Sequence, residues 1–242
     1  MIDAVLLFRE SLYGTLVIAL ACSTLGVYVV LRRIVFVGAA LAQVSSAGLG
    51  LALWLGGIGI LPGLAHHPLI VSLLVTMGGV AYFASPGRTE IPTDASIGVV
   101  YAVAAGAGVL FIAASRSGDA HDIYLQGNVL GITRGDTLLL LAAAVPVLLA
   151  HVVFYKEFLF TSFDRETARA LGYRVERWDL ALYLSLGLVI ACAMQFAGVM
   201  LVFNFLVLPA VTGLYVGHTM RSTVLVSIGR ALVAAVVGVA AS

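Results

Sequence analysis

Charge is what this sequence has least of. Only 10% of its 242 residues are Asp, Glu, Lys or Arg, and Lys156 is the single lysine. A water-soluble domain carries about 25% charged residues. A chain that is 62% hydrophobic, with a mean hydropathy of +1.10, cannot cover itself with polar surface, so lipid must be part of its solvent. The formal net charge of +1 offers no basic field to attract nucleic acid. No GxxxxGKS or GxxxxGKT run occurs, which excludes a phosphate-cradling loop for ATP. The two cysteines, Cys22 and Cys192, stand in apolar runs without a partner at metal-ligand spacing and read as small hydrophobes. The opening MIDAVLLFRESLYG carries acids where a leader peptide would carry lysine or arginine, so no cleaved leader is expected.

What the sequence does have is a series of apolar stretches of roughly 20 residues, which suits helices rather than the ~10-residue alternating strands of a barrel. The stretches predict spans near 13–31, 34–56, 68–86, 95–115, 136–155, 180–196, 198–217 and 222–241. The expected fold is therefore an all-α polytopic membrane protein of about eight transmembrane helices, one domain over 1–242, in the inner (cytoplasmic) membrane. The sixth and seventh spans form one nearly uncharged run, divided here at Ala197-Gly198. With the amino terminus outside, the inner loops hold Arg32, Arg33, Arg88, Lys156, Arg165, Arg169, Arg174, Arg177 and Arg221, and the outer ones only Arg9, Arg116 and Arg134. That asymmetry follows the positive-inside rule. Arg230 lies within the last span, and snorkelling accounts for it.

Two connections exceed what a turn needs. The inner one, 156–179, reads KEFLFTSFDRETARALGYRVERWD and is the densest charge cluster in the chain. Ser162 or Asp164 can cap a short helix there and Gly172 can end it. Such a helix on the cytoplasmic face suits docking of a partner, with an ordinary solvated loop as the alternative. The outer one, Ser115 to Asp136, contains Asp119, His121 and Asp122, which are metal-ligand types on a loop. His66 and His67 are adjacent, and adjacent side chains diverge, so no shared metal is implied.

Within the spans, Gln43, Gln195 and Asn204 are uncharged amides at membrane depth, where an unpaired polar group is costly. Asn204 precedes Pro209, and proline frees a carbonyl one turn earlier. The amides admit two readings, the lining of a pathway or hydrogen bonding between helices. Ala39, Gln43, Ala47 and Gly50 recur at helical spacing in GAALAQVSSAGLGLA and predict a closely packed inner helix.

Four stretches resemble the permeases of zinc, manganese and iron uptake ABC transporters, in colinear order over nearly the whole chain. They are RRIVFVGAALAQVSSAGLGLAL, TDASIGVVYAVAAGAGVL, SFDRETARALGYRV and AMQFAGVMLVFNFLVLPAVTG. The resemblance implies the importer-permease fold shared with cobalamin and siderophore importers. It implies a second permease copy paired around one pathway and an extracytoplasmic substrate-binding protein. It also implies ATPase subunits docked near 164–172, which makes Asp164, Arg165, Glu166, Arg169 and Gly172 the coupling candidates. Gln43, Asn204, Ala39 and Pro209 are the pathway candidates. The chain departs from the family pattern at helix two, where an acid usually stands at the position of Ala39 and a histidine at that of Gln43. The usual proline there is Ala47, and the family pattern continues past VVGVAAS into a further helix. Metal coordination therefore does not carry over to this helix. No cofactor is expected in this chain.

Three functions compete: a permease for a bare divalent metal, one of the same fold for a chelated or non-metal substrate, and a solitary secondary transporter. The last needs a proton or sodium site, and the spans lack acids. Lacking a phosphate-binding loop, the purified chain alone is expected to release no phosphate from ATP. Hydrolysis persisting in preparations free of any ATPase subunit would refute this.

Overall fold

The computed structural model describes residues 2–58, 67–85, 93–115, 127 and 129–240, with the side chains of residues 2–8, 93 and 130 left aside. These residues form the helices α1 (Ile2–Leu31), α2 (Val35–Ile58), α3 (Pro68–Ala84), α4 (Thr93–Ala114), α5 (Arg134–Val153), α6 (Tyr155–Phe163), α7 (Arg165–Ala170), α8 (Val175–Val216) and α9 (Met220–Ala240), with a 3-10 turn at Val129–Gly131. Among the described residues no strand occurs. Local chemistry sets several boundaries. Pro68 opens α3, where its missing N–H would be unpaired anyway. Thr133 and Asp136 form a reciprocal capping box at the start of α5.

Six of the helices are long and apolar enough to cross a membrane, and α3 is a shorter apolar helix. Two ion pairs on α1 give its span a scale. Glu10 meets Arg134 at 3.0 Å near one end, and Arg32, just past the other end, pairs with Asp179. Helical rise separates positions 10 and 32 by roughly 33 Å, about the thickness of a hydrocarbon core.

The core sits around α1, α2 and α8. Ile18, Cys22, Leu25 and Val29 of α1 are buried. The small residues of α2 let its neighbours approach closely, as expected. A Cβ at Gly48 would lie 2.7 Å from the Ser72 Cα of α3, and Ser45 hydrogen-bonds Ser72 across the same contact at 2.8 Å. By contrast α4 is mostly exposed, with Val99, Val103 and Leu110 turned outward.

The last uncertain division resolves physically. If α8 were straight, Leu206 would lie roughly 40 Å from Asp179. Yet Asp179 pairs with Arg32, while a Cβ at Gly26 would overlap the Leu206 carbonyl oxygen. Positions 26 and 32 are only about 9 Å apart along α1. The two halves of α8 must therefore fold back on each other. The break is Gly198, with φ 69° and ψ 168° inside the otherwise helical run. That region of backbone space is essentially closed to side chains. The predicted cut between spans six and seven falls on this residue, although the sixth begins at Val175, earlier than the sequence suggested. We expect Gly198→Ala to destabilise the chain by about 1–3 kcal/mol, read as a lower thermal-unfolding midpoint in detergent micelles.

Candidate functional site

The connection 156–179 is not a loop. It comprises α6, α7 and the first turn of α8. Asp164, rather than Ser162, caps α7: its carboxylate accepts the Thr167 N–H at 3.0 Å, and hydrogen bonding with Thr167 holds its pKa below the usual carboxylate range. Gly172, at φ 85°, terminates the helix in the left-handed region. Ser162 has another task.

That task centres on Arg32, whose side chain is 2% exposed. Its Nε donates to the Ser162 Oγ at 2.8 Å and one terminal nitrogen to the Thr161 Oγ1 at 3.2 Å. The other terminal nitrogen pairs with one carboxylate oxygen of Asp179. Both hydroxyls spend their own protons on helix carbonyls, Thr161 on Glu157 and Ser162 on Phe158, which leaves lone pairs for the guanidinium. Burial works against the Arg32 charge, and Asp179 opposes that effect. The second oxygen of Asp179 pairs with Arg165 of α7. Arg169 pairs with Glu176 at 2.8 Å, with both side chains over half exposed, so that contact contributes little. Two of the coupling candidates, Arg165 and Arg169, are thus engaged within the chain, while Glu166 is exposed. An aromatic cluster seats the same region. His151 stacks on Phe158 at 4.1 Å, and Trp178 meets Phe158 edge-on at 5.2 Å. His151 Nδ1 donates to the Val147 carbonyl at 2.9 Å, and its buried Nε2 has no partner among the described residues.

A cavity of about 990 Å³ opens between the end of α1, α2, α4 and the second half of α8. Its wall includes Phe36, Ala39, Tyr101 and Phe203, and its charged members among the described residues are Arg33 and Asp94. Arg33 is the one non-glycine residue with positive φ, 59°, among the described residues. Of the pathway candidates, Ala39 joins this wall. Gln43 is half-buried, Asn204 exposed and Pro209 buried, and none of these three lines it. The four therefore do not share this cavity wall. Gln195 keeps a buried, unpartnered Oε1 among the described residues. No group of three metal-ligating side chains occurs among the described residues. Asp119, His121 and Asp122 lie outside them. Sequence reasoning passed over Arg32, Asp179 and His151. It also overlooked Asp94, because an acid in the first turn of an apolar helix is explained by the helix dipole alone.

The sequence model of the ABC 3 transport family matches residues 5–242. The chain belongs to that family. It is 27% identical over 230 residues to the manganese import system permease protein ScaB of Streptococcus gordonii, covering 95% of this chain and 80% of that one. It is 30% identical over 211 residues to the manganese transport system membrane protein MntC of Bacillus subtilis, covering 84% of this chain and 47% of the relative. Among solved structures, PsaBC from Streptococcus pneumoniae in complex with Fab superposes with a TM-score of 0.80 over 95% of this chain and 80% of the other, at 24% identity.

This ABC 3 family chain is thus an all-helical polytopic membrane protein whose 156–179 segment is fixed by one buried charge. Removing one member of a buried pair strands the other. Arg32→Gln should therefore destabilise the chain by about 3 kcal/mol, toward the lower end of the range for buried pairs because Asp179 is partly solvated and keeps Arg165 as a partner. Chemical unfolding in mixed micelles measures this, and an unchanged midpoint would show that the pair is dispensable.

Proposed function

We propose that this chain is the membrane-spanning subunit of an ATP-driven importer of a divalent transition metal, with manganese the first ion to test and zinc and iron next. The observation that carries the reading is the match, over 95% of the chain, to a manganese import permease. A separate ATPase subunit supplies hydrolysis and docks on α7. An extracytoplasmic binding protein delivers the substrate. A second permease copy completes the pathway across the inner membrane. The capped, outward-lying α7 supports the docking assignment, with Glu166, Leu171 and Tyr173 as its exposed contacts. Uptake of manganese by vesicles carrying the full complex tests this reading. Failure of manganese, zinc and iron alike would overturn it.

A second reading is favoured by one observation. Ala39 and Gln43 offer no strong ligand, and the cavity wall around Ala39 is largely apolar, which suits a chelated cargo better than a bare ion. Uptake that requires an added chelator would favour this reading over the first.

Helix α2 and the second half of α8 also serve as pathway elements in this proposal, with Gln43 and Asn204 respectively facing the transported species. Amides bind divalent transition metals weakly compared with carboxylate or imidazole. Joint substitution Ala39→Asp and Gln43→His should therefore create zinc or manganese binding in the membrane subunit, measurable by titration calorimetry. A double variant that folds and binds neither ion counts against α2 as a pathway helix.

A further inference from the structure

Helix α7 has little hydrophobic grip on the molecule. It is six residues long, and Ala168 is its only buried residue. A single methyl gives α7 little apolar purchase on the membrane core, so beyond the chain itself its side-chain contacts to that core are polar. One of these, Arg169 with Glu176, is exposed on both sides. The other reaches inward. Arg165 holds one oxygen of Asp179 while Arg32, buried, holds the other.

We infer that the Arg165–Asp179–Arg32 chain is the mechanical link between the docking helix and the membrane core, with Arg165 as its positioning residue. The inference rests on the docking assignment made above for α7. From Arg32 the contacts continue without a gap. Arg32 directly follows α1, and Gly26 of α1 lies against the Leu206 carbonyl in the second half of α8. Met200 and Phe203 of that same half line the cavity. Asp179 itself stands near the start of the first half of α8, and through Arg32 and α1 it is connected to the second half beyond the break at Gly198. A bidentate carboxylate shared by two guanidiniums is directional, because each oxygen is committed to one partner. Moving α7 therefore either drags Asp179 or releases it, and both outcomes are felt at Arg32.

Replacement of Asp179 would strand Arg32 and can unfold the chain, so the test is made at Arg165, which is 47% exposed. The full transporter, with its ATPase and binding protein, is reconstituted in proteoliposomes and supplied with manganese ion. We expect Arg165→Ala to copurify with the ATPase and to hydrolyse ATP within about twofold of the parent, while ions taken up per ATP fall about tenfold. Arg165→Lys should recover most of that ratio, since it keeps the charge. An unchanged ratio in Arg165→Ala overturns the link. So does a lowered thermal midpoint of the isolated permease, which would make Arg165 a structural residue. Loss of the ATPase from the Arg165→Ala complex also overturns the link, because Arg165 is then a docking contact. If instead Leu171→Glu leaves the complex intact, the docking assignment itself fails. If the parent complex moves no metal, the transport reading fails.

Discussion

A charge that cannot reach water must be answered by the protein, and at the Arg32 end of α1 the neighbouring segments are arranged around that demand. Arg32 follows directly on an apolar helix and is almost fully covered. Its partners come from three separate segments: two hydroxyls on α6, a carboxylate on α8 and, through that carboxylate, a second arginine on α7. Such a pair adds little net stability over apolar side chains of the same volume, but breaking it is expensive. Its value is specificity. A guanidinium offers a fixed fork of donors, so α6, α7 and α8 can satisfy it in only one arrangement.

The opposite constraint governs the interior of the spans. Hydrocarbon offers no partner for a backbone group, so the chain stays helical wherever it is surrounded by lipid. Departures are confined to places where the protein covers its own backbone. Gly198 is such a place: it interrupts α8, and Gly127 packs so closely that a Cβ there would collide with the backbone of Ala197 and Gly198. The break lets one continuous helix serve as two antiparallel elements. The first half holds the ion-paired carboxylate and the second half packs on α1, so α1 is clasped from both sides of a single fold-back.

Much of this could be read from the residues. Length and hydropathy locate the spans because lipid imposes a fixed thickness. Glycine in the uncharged run marks the break because only glycine tolerates the backbone it needs. The caps of α7 are local chemistry, readable at Asp164 and Gly172. What could not be read is the pairing of Arg32 with Asp179, 147 residues apart. Nothing near Arg32 distinguishes it from Arg33, yet one is buried in an ion-paired hub and the other lies exposed on a cavity wall. The ion pairs of Arg165 with Asp179 and of Arg169 with Glu176 were equally illegible, since a solvated charge cluster looks free until its internal partners are located. His151 was silent for a related reason. A histidine in an apolar helix signals nothing until its ring is found stacked on Phe158.

The cavity brings these strands to one question, which is what its wall can recognise. Ala39 removes a carboxylate from the position where the resembling family carries one, and nothing else on α2 replaces it. Among the described residues the charges that reach the wall, Arg33 and Asp94, are of opposite sign and come from the α1–α2 turn and the first turn of α4. A bare divalent cation gains from one of them and is opposed by the other. A wall of this kind offers a bare ion no strong ligand, and under the proposed importer function the membrane path requires none. Tight capture belongs to the component that meets the substrate first, whereas the path must release what it receives. Weak ligation along α2 is therefore compatible with metal transport, provided that the energy for directional movement enters elsewhere. On the link proposed above, that energy would enter through the polar chain that joins α7 to Arg32.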